Sequence, residues 1–199
     1  MLILGSRLIK APVMSLQTGG QLATTVQAII DPANLHVLAY KVEGSLLTTN
    51  PSFIRTDDIR DYGQIGLIID SNDELIGVDD VIVIKKTLDL NFSLIGLAVI
   101  DETKRKLGKV DDYTLDTMNY TIQQLNVRRG FLQGINDTGL LVNRSQIIEI
   151  NNKAIIVKSP TVRSVEPVMQ TIRGEFANPF RTATPQSNQD TVNEPEAIS

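Results

Sequence analysis

The sequence contains no cysteine, no tryptophan and only one histidine, His36, among its 199 residues. Without cysteine the chain can form no disulfide, no thiolate nucleophile and no cysteine-ligated metal site. A zinc site usually needs several histidine or cysteine ligands, and a single histidine does not supply them. We therefore expect neither a bound metal nor another cofactor.

Long apolar runs are also missing, because no stretch approaches the roughly 18 apolar residues of a membrane span. Residues 1–16 are interrupted by Arg7, Lys10 and Pro12 and do not follow the plan of a signal peptide. We therefore expect no transmembrane segment and a cytoplasmic location. Aromatic residues make up only 5% of the chain, so the core must consist mainly of Ile, Leu and Val, which favours β-strands.

Negative charge is concentrated at the C-terminal end of the sequence. From Glu175 onward four acidic residues stand against Arg181 alone, so this end accounts for three of the four net negative charges. Proline and polar residues dominate the same segment, which cannot bury enough apolar surface to offset its chain entropy. The composition predicts a disordered acidic tail over residues 171–199.

The remainder of the sequence repeats itself once. Leu8-Ile9 returns as Leu94-Ile95, residues 22–42 align with residues 107–127, and residues 67–69 align with residues 155–157. The spacings of these blocks are 86, 85 and 88 residues. Because the blocks keep their order with only loop-sized shifts, the pattern predicts a duplicated unit.

Each copy has the pattern of several short strands separated by turn residues. The predicted strands are residues 22–31, 35–43, 53–56 and 65–70 in the first copy, and residues 109–115, 120–127, 139–143 and 154–158 in the second. The first two strands of each copy are joined by residues 31–34 and 116–119, which begin with Asp and end with Asn. These residue types favour tight turns, and such a succession is typical of a barrel or sandwich.

The repeat unit resembles the PRC-barrel domain, a family named after the photosynthetic reaction centre H subunit and found again in the C-terminal barrel of the bacterial ribosome maturation factor. The resemblance is carried by residues 94–99, by Leu107-Gly108-Lys109-Val110, by the turn at Asp116 and by the strand over residues 122–127. Residues 147–150 and 155–157 are similar to the closing strands of that family. The first copy has Leu22-Ala23 where the second has Leu107-Gly108, so its assignment depends on the repeat.

The resemblance implies a mainly β protein built of two tandem small PRC-type β-barrels. We expect the first barrel over residues 1–78, a linker over residues 79–91, the second barrel over residues 92–170 and the tail beyond it. The linker is extended or, more in keeping with its residues, a short helix, with Asp79 or Asp80 as its N-cap and Lys85 and Lys86 near its C-terminal end. Its apolar residues are expected to pack between the two barrels.

Residues suited to catalysis are few. His36 falls in an alternating strand, where we interpret it as an outward-facing polar residue. The acidic pairs Asp57-Asp58, Asp79-Asp80 and Asp111-Asp112 lie in predicted turns, in a cap or on a strand where neighbours point to opposite faces. We expect no catalytic residues and no enzyme activity, although an active site assembled from residues distant in sequence is the third alternative.

One basic cluster stands out in the second copy. It is formed by Lys104, Arg105, Lys106, Lys109, Arg128 and Arg129. Such residues can contact phosphates, but Asp101, Glu102, Asp111 and Asp112 lie close in sequence and would offset most of their charge.

The family resemblance implies a non-catalytic adapter or scaffold that binds a protein partner through its barrels. The alternative is a ribosome- or RNA-associated maturation or assembly adapter, which would contact ribosomal RNA or a ribosomal protein through the basic cluster. Exposed barrel edges would also allow pairing of two chains in a homodimer.

Overall fold

The structure is a computed structural model that describes residues 1–129 and 139–159. The predicted disordered tail, residues 171–199, and the last part of the predicted second barrel lie outside the described residues. In the N-terminal half the strands are β1 (Leu2–Leu4), β2 (Pro12–Ser15), β3 (Gln21–Asp31), β4 (His36–Glu43), β5 (Ser52–Arg55), β6 (Asp61–Gly63), β7 (Gly66–Ile69) and β8 (Leu75–Gly77). Helix α1 (Ile82–Asp89) follows, and then β9 (Ala98–Asp101), β10 (Lys106–Asp116), β11 (Thr121–Arg128), β12 (Leu140–Asn143), β13 (Ile147–Ile150) and β14 (Ala154–Val157).

The described part of the chain is therefore mainly β, as the sequence predicts. A single hydrogen-bonded path runs in the order β13-β14-β9-β10-β11-β4-β3-β2-β7-β6, and β1, β5, β8 and β12 branch from it. Short 3-10 turns interrupt the described strands, at Gly5–Leu8, Thr56–Asp58, Asn72–Glu74 and Arg144–Gln146. Among the described residues no helix has the length and apolar character needed to span a membrane.

The expectation of closed barrels is not met by the hydrogen bonding of this sheet. Closing the C-terminal half would require β12 to pair with β13, and closing the N-terminal half would require β8 to pair with β6; neither pairing occurs among the described strands. In the C-terminal half the chain leaves β12 through the 3-10 turn Arg144–Gln146 before it enters β13. Such a turn takes backbone groups out of the strand ladder, so the sheet stays open there.

The same succession of pairings occurs in both halves. In the N-terminal half β2 pairs antiparallel with β3 and parallel with β7, β3 pairs with β4, and β4 with β5. In the C-terminal half β9 pairs antiparallel with β10 and parallel with β14, β10 pairs with β11, and β11 with β12. The parallel registers include Val13–Leu67 and Val99–Ile155, whose first members lie 86 residues apart and whose second members lie 88 residues apart.

The two predicted turns have matching hydrogen bonds. The Asp31 carboxylate accepts a bond from the Ala33 amide at 2.9 Å, and the Asp116 carboxylate accepts one from the Met118 amide at 3.1 Å. Three residues after each Asp, the Asn34 and Asn119 side chains accept bonds from the amides of His36 and Thr121. Asp and Asn at these positions satisfy backbone donors that the turn would otherwise leave unpaired, so the turns are specified locally.

One main hydrophobic core includes residues from both halves. Its buried members include Leu8, Val13, Tyr40, Ile54 and Leu67 from the N-terminal half and Leu94, Val99, Leu115, Leu125 and Ile155 from the C-terminal half. A second, smaller core is formed by Ile29, Ala39, Phe53 and Ile84. The burial of these apolar side chains is the main contribution to the stability of the fold.

The linker forms the expected short helix, but its cap and its packing differ from expectation. Val81 occupies the N-cap position with no side-chain cap bond, because Asp80 accepts a bond from the Gly77 amide at 2.5 Å and Asp79 accepts one from Lys85 at 2.6 Å. Ile84 packs against the β3–β5 face of the N-terminal half rather than between the halves. The side chains of Ile82 and Val83 are exposed.

Candidate functional site

The structure brings the six residues of the basic cluster to one end of β10. Lys104 and Arg105 lie in the turn between β9 and β10, and Lys106 begins β10. Lys109 is paired directly across from Arg128 of β11, and Arg129 is the next residue along. Lys104, Arg105, Lys106, Lys109 and Arg128 are exposed, and Arg129 is half-buried.

Two of these cations are already paired with carboxylates. The Arg105 guanidinium lies 3.0 Å from the Asp101 carboxylate, and the Arg128 guanidinium lies 3.1 Å from that of Asp111. Lys104, Lys106, Lys109 and Arg129 form no ion pair with the residues that the structure describes. The acidic neighbours therefore offset part of the positive charge, whereas the sequence led us to expect that they would offset most of it.

Asp101 organises the turn that carries this cluster. Its buried carboxylate accepts bonds from the Thr103 hydroxyl at 2.6 Å, from the Thr103 amide at 3.0 Å and from the Arg105 amide at 2.9 Å. The Thr103 hydroxyl bond and the bonds from the two amides hold the pKa of Asp101 below its ordinary value of 3.8. The role of Asp101 is consequently to fix the turn.

The three acidic pairs are divided among separate structural contacts. Asp58 accepts two bonds from Arg55, both at 2.7 Å, while its neighbour Asp57 is exposed. Asp112 accepts bonds from the amide and hydroxyl of Ser6, whereas Asp111 pairs with Arg128. Because each carboxylate of a pair has a different environment, no pair is arranged as a shared acid and base.

A cleft between the two halves is the feature that sequence reasoning missed. It has a volume of about 460 Å³ and lies where β4 meets β11, and we call it the junction cleft. Its lining residues are His36, Thr56, Asp57, Ile59, Arg60, Asp61, Tyr62, Thr117, Met118, Asn119 and Tyr120.

The junction cleft is held in place by a short strand contact between the halves. His36 pairs with Thr121, the Val37 amide donates to the Tyr120 carbonyl at 2.9 Å, and the Ile122 amide donates to the Leu35 carbonyl at 2.9 Å. The two matched turns are thereby brought together. His36, interpreted from the sequence as an outward polar residue, is half-buried and lines the cleft.

The junction cleft has an excess of negative charge. The Arg60 guanidinium forms a bidentate ion pair with Asp70, and this bond lowers the pKa of Asp70 below its ordinary value. The nearby Arg55 is engaged by Asp58. Within the described part of the chain, Asp57 and Asp61 have no cationic partner.

Tyr120 is the most buried aromatic side chain of the cleft lining. Only 6% of the residue is exposed, and its ring meets that of Tyr40 edge to face at 6.4 Å between centroids. Burial, together with the negative charge of Asp61, raises the pKa of Tyr120 to about 12. The Tyr120 hydroxyl has no hydrogen-bond partner among the described residues, and Asp61 lines the same cleft.

The PRC-barrel domain family model matches residues 86–163 of the chain. The matched residues include strands β9 to β14 and the end of α1. They make up less than half of the 199 residues. No curated protein matches the chain. The C-terminal half is therefore similar to a PRC-barrel domain, as the resemblance in its sequence predicts.

Proposed function

We propose that this chain is a non-catalytic cytoplasmic adapter that binds a protein partner, and that the junction cleft is its main contact site. The observation that carries the proposal is a cleft of mixed polar and apolar lining, placed between two halves of similar strand pairing. Its volume lies within the range of about 300–1,000 Å³ that binding pockets commonly have. The exposed side chain of Met118 at its rim suits an adaptable protein contact.

The proposal includes an origin by duplication, with two tandem PRC-type units. It is supported by the matching order of strand pairings, by the matching parallel registers and by the matching Asp and Asn turn bonds. Leu35 and Tyr120 close these turns with similar positive φ angles of 52° and 49°.

The proposal is tested by affinity purification of the tagged full chain from a lysate of the cells that produce it. A Met118→Arg variant introduces a large cation at the cleft rim, and Leu46→Arg is the matched control because Leu46 is also apolar, exposed and outside the cleft lining. We expect proteins that co-purify with the wild type and with Leu46→Arg to be lost with Met118→Arg. Equal recovery with all three would contradict the proposal.

The second candidate is a ribosome- or RNA-associated adapter that uses the basic cluster. It is favoured by the exposed side chains of Lys104, Lys106 and Lys109, which form no ion pair with the described residues. Replacement of these three lysines by Glu leaves the Arg105 and Arg128 ion pairs in place. Lys86, Lys153 and Lys158, which are also exposed, provide a control with the same change of charge.

Ribonuclease treatment of the same lysate separates the two candidates. The RNA-associated function predicts ribosomal components that disappear after nuclease treatment, bind less tightly as salt rises and are lost with the cluster variant but not with its control. The protein adapter function predicts partners that survive nuclease and bind both lysine variants equally.

Self-association through the sheet edges is a further part of the proposal. Among the described strands, β6 and β13 end the hydrogen-bonded path and each has one paired neighbour. An edge strand presents unpaired backbone groups that a second chain can bind. Light scattering over a range of concentrations should give a dimer mass, and a monomer mass at all concentrations would remove this part.

A further inference from the structure

We infer that the junction cleft binds a cationic side chain of the partner, with arginine as the best fit. This inference rests on the proposed adapter function and adds the chemistry of the contact. It starts from the two carboxylates of the cleft lining, Asp57 and Asp61, which are both exposed and have no cationic partner among the described residues. An incoming cation would find both of them available.

The arginines of the protein itself do not fill this role. Arg60 lines the cleft, but its guanidinium is engaged by Asp70 through both Nε and a terminal nitrogen. Arg55 is engaged in the same bidentate manner by Asp58. Each cation has its own carboxylate, so the excess negative charge stays with Asp57 and Asp61.

A tyrosine in the lining whose hydroxyl has no partner points independently to a ligand. Tyr120 is more than nine-tenths buried, and its hydroxyl forms no hydrogen bond within the described residues. Tyr120 and Asp61 line the same cleft. A hydroxyl oxygen accepts hydrogen bonds, so a ligand donor in the cleft would find an unused acceptor here.

The shape of the polar groups favours guanidinium over ammonium. Arginine presents five donors in a planar fork, so it can bond to a carboxylate and a hydroxyl at the same time and can stack on an aromatic ring. Tyr62, half-buried in the same lining, offers such a ring. Lysine would make the ionic contact without the planar stacking.

The test uses the full chain and the capped peptide Ac-Ala-Ala-Arg-Ala-Ala-NH2, titrated while amide ¹H–¹⁵N NMR spectra are recorded. We expect saturable shifts at His36, Asp61, Tyr62 and Asn119. The same peptide with citrulline in place of arginine keeps the shape and removes the charge, and it should give no saturable shift. A lysine peptide distinguishes the two cationic side chains, and saturable binding of either supports the site.

Conservative variants connect the binding to the named carboxylates. Asp57→Asn and Asp61→Asn should each weaken binding about fivefold or more. The amide oxygen introduced by Asp61→Asn can still accept the Tyr62 amide bond that Asp61 accepts at 2.7 Å. Asp89→Asn on α1 is the matched control and should leave binding unchanged, because Asp89 is exposed and does not line the cleft. The NMR spectra themselves report whether each variant is folded.

Three results would overturn the inference: no saturable shift, equal binding of the citrulline peptide, or unchanged binding by both cleft variants. Its failure can be told apart from failure of the adapter function. Loss of the co-purifying proteins with Met118→Arg but retention with Asp57→Asn and Asp61→Asn would leave the adapter and remove the cationic contact. If the arginine peptide binds but no co-purifying protein depends on the cleft, the cationic site is supported and the adapter function is not.

Discussion

In each half a glycine lies where the ends of two paired strands approach closely. A Cβ on Gly108 of β10 would lie 2.3 Å from the Arg128 carbonyl oxygen, and φ of Gly108 is +152°. The aligned position in the N-terminal half is Ala23, but there Gly44 takes the close approach, since a Cβ on Gly44 would lie 2.7 Å from the Leu22 carbonyl oxygen. Each half thus has one glycine at this approach, so the N-terminal half can carry Ala23 where the C-terminal half has Gly108.

Alanine substitutions at these two positions should destabilise the protein. We expect Gly108→Ala to lower the free energy of unfolding by about 2–4 kcal/mol, because it combines a backbone clash with an unfavourable φ. Gly44→Ala should lower it by about 1–3 kcal/mol through the clash alone. Gly63→Ala is the control, since a Cβ there meets nothing within 4 Å. Urea unfolding curves measure all three, and a neutral Gly108→Ala would contradict the close approach.

Tyr40 carries a buried hydroxyl without a hydrogen-bond partner, in the middle of the main core. Burial raises its pKa well above 10.0, so the group stays neutral. Tyr40→Phe removes an unsatisfied polar atom and should raise the free energy of unfolding by about 1 kcal/mol.

The matched substitution for Tyr40→Phe is Thr25→Val. The buried Thr25 hydroxyl donates to the Leu8 carbonyl at 2.6 Å and accepts from the Ala11 amide at 3.0 Å. Its removal should lower the free energy of unfolding by about 1–3 kcal/mol. Opposite signs for the two variants in urea unfolding are expected, and a destabilised Tyr40→Phe would show that the hydroxyl is satisfied.

Helix α1 binds the sheet through one face only. Ile84 is 2% exposed in the smaller core, whereas Ile82 is 69% exposed. Ile84→Ala should therefore lower the free energy of unfolding by about 2–4 kcal/mol, and Ile82→Ala should change it by less than about 0.5 kcal/mol. Equal effects in denaturant unfolding would contradict the observed packing of the helix.

The turn between β9 and β10 should be sensitive to acid through Asp101. The pKa of this carboxyl is below 3.8 in the folded protein, so its ionised form stabilises the fold above the unfolded pKa. This stabilisation is lost as the pH falls through the folded pKa. Asp101→Asn should therefore lower Tm at neutral pH, and the difference from wild type should shrink as the pH falls below the ordinary carboxyl pKa of 3.8. Thermal unfolding over a pH series measures it, and a constant difference at all pH values would assign the effect to packing.

At the scale of the whole molecule, the two halves share hydrogen bonds and a core. β1, from the N-terminal end of the chain, pairs with β10 of the C-terminal half, and β4 pairs with β11. Leu67 and Leu125 belong to the same core cluster although they lie in different halves. A body connected in this way should unfold in one cooperative transition.

Core substitutions in each half test this cooperativity. Leu67→Ala and Leu125→Ala should each lower the free energy of unfolding by about 2–5 kcal/mol, and each should move the single transition as a whole. Circular dichroism and tyrosine fluorescence followed in the same titration should give coincident curves. Two separate transitions, each shifted by only one of the substitutions, would show that the halves unfold independently.

The sequence by itself determined the parts of the fold that depend on neighbouring residues. Alternating apolar residues predicted the long strands β3, β4, β10 and β11 within a few residues of their bounds. Asp31, Asn34, Asp116 and Asn119 predicted the two turns, because their side chains bond to backbone amides two residues further along. The basic cluster was also predicted, since its members lie on adjacent strands of one hairpin and its turn.

Only the tertiary structure decided how the two halves meet. The contact between β4 and β11 consists of one residue pair, His36 with Thr121, and two backbone hydrogen bonds. Every residue type except proline carries the same backbone groups, so such bonds cannot be predicted from the residue types. The junction cleft joins residues 36, 56–57, 59–62 and 117–120, which come from three distant parts of the chain. The open sheet and the packing of α1 depend on the same long-range contacts. Local patterns fix which residues form strands and turns, whereas the packing of distant surfaces decides which strands become neighbours.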